Sequence, residues 1–228
     1  MIYAGGDDVL ALLPAQTALA CASQLRETFR KNWERDAGGR ERLLMGRRAT
    51  VSAGLAVVHY KEDLRFALET ARKAEKAAKN AGRDALQITV CRRSGEHATA
   101  LCPWEFAEEV DRWVQILTQD ASDRWAYHLR EEAETLSALD VGAMQAEIQR
   151  QIGRAEQLTK RLFGEGQENK DAAGRRLVAA FDEYRSATKP PPADDQPPQR
   201  RFATDGEAFS QFITLCQTAS FLARGRDE

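Results

Sequence analysis

Two short apolar runs at the start of the chain flank a polar tetrapeptide, Gly5-Gly6-Asp7-Asp8. Residues 2–4 and 9–13 are apolar, and Pro14 follows the second run. Glycine supplies the positive φ angles that a tight turn needs, and aspartate tolerates them. Proline cannot donate a hydrogen bond to a sheet, so it ends the second run. The pattern therefore predicts two strands joined by a tight turn.

The pattern then alternates between helical and strand spacing up to about residue 95. Apolar residues recur every three to four positions in two segments, and β-branched or alternating apolar residues mark two others. The predicted helices and strands after the hairpin are, in chain order, a helix at 15–35, a strand at 50–59, a helix at 64–81 and a last strand at 85–91. The order β-β-α-β-α-β is typical of a ferredoxin-like palm without its first β-α unit.

Beyond residue 103 only helical stripes remain, and we predict a helical bundle that packs beside the first unit. A Pro-rich polar stretch at 189–199 predicts a mobile linker before the last helix. The last helix is expected to dock either on the bundle or on a neighbouring subunit. The predicted fold class is therefore α+β, with a partial palm at 1–95 and an all-α domain at 103–228.

Composition excludes some classes of protein. The 228 residues carry a net charge of -2 and include no apolar stretch of about 20 residues, so no membrane span is predicted. The four cysteines are widely spaced and form no paired motif. We therefore expect reduced thiols and a cytoplasmic location.

The small net charge hides an asymmetry along the chain. Residues 26–93 contain 17 Lys or Arg and 9 Asp or Glu, whereas residues 96–140 contain 3 and 11. The basic segment can attract nucleotides or RNA, and the acidic one is expected to contact basic protein surfaces or the basic segment itself. Ordinary solvated helix faces would explain either segment equally well.

The tetrapeptide at the hairpin carries the first chemical signal. Adjacent carboxylates repel one another unless a cation neutralises them, and hard oxygen ligands suit Mg²⁺ or Mn²⁺ together with substrate phosphates. Two glycines let a nucleotide approach the backbone closely. An Asp-rich turn on a plain hairpin is the alternative explanation.

Two later segments make the pattern more specific. Thr50-Val51-Ser52-Ala53-Gly54 resembles the T-V-S-x-G strand of GGDEF-type cyclases, and Ala78-Lys79-Asn80-Ala81-Gly82-Arg83-Asp84 resembles their A-K-x-x-G-R-N segment. Together with a helical C-terminal region, the order of these motifs resembles the C-terminal part of the large polymerase-like subunit of type III CRISPR effector complexes, of the Cmr type. The resemblance covers residues 1–95 by motif and the remainder by architecture alone.

This resemblance implies a nucleotidyltransferase that joins ATP into cyclic oligoadenylate, in antiviral defence, when the complex binds target RNA. It implies that Asp7 and Asp8 are catalytic and bind Mg²⁺ or Mn²⁺. The nucleotide-binding residues that it implies are Gly5, Gly6, Ser52 and Lys79. The implied partners are ATP, the other subunits of the effector complex and, through them, guide and target RNA.

The sequence also departs from that family. The strand and helix expected before the hairpin, with a further metal-binding acid, have no counterpart here, so we expect a fragment or split-gene product that is nearly inactive alone. By spacing alone, Lys79 fits a solvated helix lysine and Ser52 a strand hydroxyl. Three other functions stay open: a non-catalytic scaffold subunit of the same complex, a GGDEF-type cyclic dinucleotide cyclase and an RNA polymerase palm.

Overall fold

A computed structural model describes residues 3–5, 8–34, 50–117, 124–154, 167–188 and 202–224. The predicted Pro-rich linker and the end of the third helical stripe, after residue 154, lie outside these residues. The strands are β1 (Tyr3–Gly5), β2 (Asp8–Leu10), β3 (Ala53–Val57), β4 (Ala85–Cys91) and β5 (His97–Pro103). The described helices are α1 (Ala15–Glu34), α2 (Leu64–Asn80), α3 (Ala107–Leu117), α4 (Arg124–Leu136), α5 (Val141–Arg154), α6 (Gln167–Thr188) and α7 (Asp205–Arg224). The α+β class with a partial palm followed by helices is confirmed.

The N-terminal hairpin forms a two-stranded antiparallel sheet of its own. Gly5 is opposite Asp8, so two residues connect the strands, as predicted. β2 ends at Leu10 rather than at residue 13. Pro14 instead precedes α1, and its carbonyl oxygen accepts hydrogen bonds from the backbone N–H and the hydroxyl of Thr17.

The second sheet has the order β3-β4-β5, with β3 parallel and β5 antiparallel to β4. All seven residues of β4 are buried, as expected for a central strand. A parallel pair needs a crossover connection, and α2 provides it. Buried alanines at positions 67, 74 and 78 line the inner face of α2, so the helix lies close to the sheet.

Residues 85–91 are not the last strand, and this prediction was wrong. β5 pairs with β4 along its whole length, from Cys91 opposite His97 to Ala85 opposite Pro103. Leu101 is the one large aliphatic residue among its seven, so no strong apolar alternation marks it in the sequence. The division between a palm at 1–95 and a helical domain at 103–228 stays a prediction, and β5 lies across the intervening residues.

Helix α7 lies at the centre of the helical part. Phe209, Phe212, Ile213 and Leu215 are fully buried, and one hydrophobic cluster runs from the sheet through the helices. The Tyr184 hydroxyl donates to the carbonyl oxygen of Leu101 (2.8 Å). The Gln211 side-chain oxygen accepts the Leu101 N–H (3.1 Å). These bonds satisfy the outer edge of β5 at Leu101, and the last helix therefore docks on the bundle, one of the two predicted places.

No helix in the described ranges is long and apolar enough to cross a membrane. All four cysteines are free thiols, as predicted, and three of them are buried.

Candidate nucleotide site

The hairpin presents Asp8 to solvent at the first residue of β2. Gly6 and Asp7, the other half of the predicted turn, lie outside the described residues. Gly5 ends β1, where an added Cβ would meet the ring of Tyr3. That ring is 57% exposed and can move aside, so packing alone does not require glycine at this position.

Lys79 lies in the last turn of α2, with 43% of its side chain exposed. Its ammonium pairs with Glu75 one turn earlier, at 2.5 Å. The hydrogen bond and charge of Glu75 are the main reasons that the pKa of Lys79 is raised, and the charge of Asp8 adds to them. The guanidinium of Arg83 acts in the opposite direction. The fold therefore brings Asp8, Lys79 and Arg83 within electrostatic reach, although Asp8 is far away in sequence.

The loop after α2 has an unusual backbone that fixes the position of Arg83. Gly82, Arg83 and Asp84 all have positive φ, of 104°, 65° and 44°. The Arg83 N–H donates to the carbonyl oxygen of Ala78 (3.1 Å), which ends the helix. Glycine adopts such angles without strain and aspartate tolerates them, so Arg83 is the residue that most needs support from contacts around the loop.

Arg26 of α1 provides that support. Its guanidinium donates two hydrogen bonds to the Asp84 carboxylate, at 3.3 and 3.1 Å, and lies 5.5 Å from the centre of the Trp104 ring. The Arg26 side chain is only 11% exposed. Sequence analysis missed this contact, since nothing in the pattern links residues 58 positions apart. The aspartate in the Gly82-Arg83-Asp84 motif was the available signal.

The T-V-S-x-G segment, around the start of β3, contacts Trp104 and packs closely against α2. Ser52 is half-buried just before β3. The Trp104 indole N–H donates to the carbonyl oxygen of Val51 (2.8 Å). An added Cβ on Gly54 would lie within 3.0 Å of backbone atoms of Ala71 and Glu75 in α2. The glycine of this motif is therefore required for the close approach of β3 and α2, which sets the position of Lys79.

The carboxylates at the hairpin suit a hard divalent cation that is bound by one or two carboxylates and by substrate phosphates. Within the part of the chain that the structure describes, no three His, Cys, Asp or Glu side chains cluster as a metal site. Mg²⁺ commonly binds one or two carboxylates and completes its shell with water and substrate phosphates. An exposed Asp8, next to the predicted ligand Asp7, suits that mode and no all-protein cage.

Comparison with known proteins agrees with these motifs. Residues 1–87 match the family model of the Cas10/Cmr2 second palm domain. The chain is also 36% identical to the CRISPR system Cmr subunit Cmr2 of Pyrococcus furiosus, over 71% of this chain. The chain is a Cmr2-like type III CRISPR subunit sequence. It spans 19% of the length of that relative. Since 71% of the chain exceeds the palm match, the likeness to Cmr2 continues into the helical part.

Proposed function

We propose that this Cmr2-like chain carries a nucleotide site of a type III effector complex, and that the site takes part in joining ATP into cyclic oligoadenylate. The observation that supports the proposal is that Asp8 and Lys79, both exposed, lie within electrostatic range of one another, since the charge of Asp8 helps to raise the pKa of Lys79. A carboxylate for a metal and a cation for phosphate are the two groups that a nucleoside triphosphate needs.

Lys79 binds phosphate in this proposal, and its ion pair with Glu75 does not prevent it. Exposed pairs one turn apart on a helix stabilise by about 0.3–0.5 kcal/mol, so a triphosphate with several negative charges can displace Glu75. Lys79 acts as a point charge, and Arg83 adds a second cation on the same side. The bonds from Arg26 to Asp84 hold that cation in place.

Asp7 and Asp8 would hold Mg²⁺ or Mn²⁺, and Gly5 and Gly6 would leave room for the nucleotide beside them. The metal ion would supply charge neutralisation on the phosphates and on the attacking hydroxyl. Ser52 is the remaining nucleotide-binding residue of the proposal, from its half-buried position before β3.

ATP binding by the chain tests the role of Lys79 with a matched control on the same helix. Lys73 pairs with Glu69 one turn earlier (2.8 Å), just as Lys79 pairs with Glu75. Lys79→Gln and Lys73→Gln therefore remove the same charge and the same kind of ion pair. Titration of a fluorescent ATP analogue with Mn²⁺ should give a Kd raised about 5- to 30-fold for Lys79→Gln alone, since charge-assisted hydrogen bonds contribute about 1–2 kcal/mol. Equal Kd values for the two variants would contradict the assignment of Lys79 to the nucleotide site.

Catalysis is tested in the reconstituted effector complex. Asp7→Ala with Asp8→Ala should abolish oligoadenylate formation from ATP, seen by mass spectrometry, while the complex still assembles, because a hairpin tip contributes little packing. Unchanged product would remove these residues from the mechanism. The isolated chain should show almost no turnover, and robust turnover by the chain alone would refute its dependence on other parts of the complex.

A non-catalytic scaffold role is the second candidate. It predicts normal complex assembly and no change in ATP binding in any of these variants.

A further inference from the structure

The solvent face of α2 carries a stripe of unpaired cations. Arg65, Arg72 and Lys76 are exposed, and no carboxylate in the described part of the chain forms an ion pair with them. Their spacings of seven and four residues correspond to about two turns and one turn of a helix, so they share one face. The acids of the same helix, Glu69 and Glu75, are each paired with a lysine, which leaves the stripe with a net positive field.

Exposed aromatic rings lie at the N-terminal end of this stripe. Tyr60 is 82% exposed at the corner of a turn, which the N–H of Glu62 closes by donating to the carbonyl oxygen of His59 (2.9 Å). The His59 ring lies 4.5 Å from the Tyr60 ring, and the ammonium of Lys61 lies 5.4 Å from its centre. Phe66, in the first turn of α2, is a further exposed ring. The Phe66 ring is 37% exposed and lies 6.0 Å from the His97 ring, whereas the Tyr60 ring contacts its chain neighbours His59 and Lys61 and leaves most of its area open to a ligand.

We propose that this surface, comprising Tyr60, Phe66, Arg65, Arg72 and Lys76, binds single-stranded nucleic acid. A basic track with aromatic rings on which bases can stack is the arrangement that recognises single strands without reading sequence. From Arg65 to Lys76 the helix rises about 16 Å, enough to follow several nucleotides. An acidic protein surface would use the cations but would leave the aromatic rings without a role, so the single strand explains more of the surface.

The proposal does not depend on nucleotide binding at Lys79. The stripe begins at Arg65, almost four helical turns before Lys79, and Tyr60 lies beyond that far end of α2. Lys76, at the other end of the stripe, is within one turn of Lys79 but is not part of the ATP site. Loss of ATP binding in Lys79→Gln would leave the nucleic-acid surface unaffected, and the two proposals can therefore fail separately.

Fluorescence anisotropy with a labelled single-stranded oligoribonucleotide, measured over about 50 to 200 mM salt, tests the proposal on the full chain. Each single-strand phosphate contact contributes about 0.7 to the slope of log K against log salt. Arg72→Gln with Lys76→Gln should therefore lower the magnitude of that slope by about 1.4. Arg154 and Arg175, both exposed in the helical part, allow a control with the same loss of charge. Arg154→Gln with Arg175→Gln should leave the slope unchanged.

Tyr60→Ala separates stacking from charge. Loss of one base–aromatic stack should weaken RNA binding about 5- to 150-fold with no change in the salt slope. An exposed side chain can be removed without unfolding, and far-UV circular dichroism checks this. A labelled DNA of the same sequence distinguishes RNA from any single strand. The proposal is overturned if the chain does not bind the oligoribonucleotide at low salt, or if the two double variants change the salt slope equally. A Tyr60→Ala variant that binds like the wild type would also overturn it and would indicate an acidic protein partner instead.

Discussion

Gly54→Ala is the substitution for which the structure makes the sharpest stability prediction. The added methyl group would meet the carbonyl oxygen of Ala71 and the N–H nitrogen of Glu75, both closer than 3.0 Å. These are backbone atoms in the middle of α2, so no side-chain rotation can relieve the overlap, and the helix must move away from β3. Overpacking of this kind costs about 1–3 kcal/mol, and we expect the upper end of that range. In a chain of this size, about 3 kcal/mol corresponds to a decrease in Tm of roughly 6–12 °C.

Urea unfolding followed by far-UV circular dichroism measures the change, and Gly153→Ala is the matched control. Gly153 lies near the end of α5, and no atom lies within 4 Å of an added Cβ there. Because alanine is the better helix former, this control should be as stable as the wild type or more stable by up to about 1 kcal/mol. A Gly54→Ala chain that unfolds at the wild-type urea concentration would refute the close-approach argument. Because α2 carries Lys79, the same variant should also bind the ATP analogue more weakly.

Three further predictions concern the support of the site and the core. Arg26→Leu should destabilise the chain by about 1–2 kcal/mol in urea unfolding, because the Asp84 carboxylate loses both hydrogen bonds. Arg26→Lys should restore only part of this stability, since lysine cannot donate the paired bonds. An Arg26→Leu chain as stable as the wild type would contradict the role of the contact. Burial raises the pKa of the Cys102 and Cys216 thiols, so the unfolded chain loses these protons at a lower pH than the folded chain. The free energy of unfolding should therefore decrease above about pH 9, and a Cys102→Ala, Cys216→Ala chain should lose less of it between pH 8 and about 10. Equal losses in the two chains would argue against burial of the thiols. A chain that ends at residue 188 should be unfolded in far-UV circular dichroism and rapidly digested by proteases, because it lacks the central helix α7; a folded truncated chain would show that α7 is peripheral.

Local patterns in the sequence predicted the local structure well. The two-residue hairpin turn follows from Gly5 to Asp8, and the helical spacing before Gly82 predicted α2 to within one residue of its observed end. β5 could not be predicted in this way, since its sequence has one large aliphatic residue and becomes a strand by pairing with the buried β4. Helical spacing also cannot show that the last helix, α7, is the core of the helical part rather than a separately docked element.

Contacts between distant residues were beyond prediction for a different reason. The proximity of Asp8 and Lys79 depends on how the hairpin lies against α2, and the bond from Arg26 to Asp84 depends on α1 crossing the loop after α2. Neither is encoded in a period or a motif. The motifs did predict which residue types surround the site. The roles of Asp7, Asp8, Ser52 and Lys79 in ATP chemistry stay predictions.

The charge asymmetry along the chain is resolved differently in its two halves. In the acidic segment, Glu96 pairs with Arg92 (2.8 Å) and Arg130 (2.9 Å), and Glu105 lies 4.0 Å from Arg26. The pairs with Arg92 and Arg26 are contacts of the predicted kind, between the acidic and the basic segment, whereas Arg130 belongs to the acidic segment itself. All three pairs neutralise charge within the fold. The cations on the outer face of α2 have no such partners among the described residues. Because paired charges cancel at a distance and unpaired ones do not, the outer face of α2 carries a net positive field among the described residues of the basic segment, and a polyanion can meet the protein there.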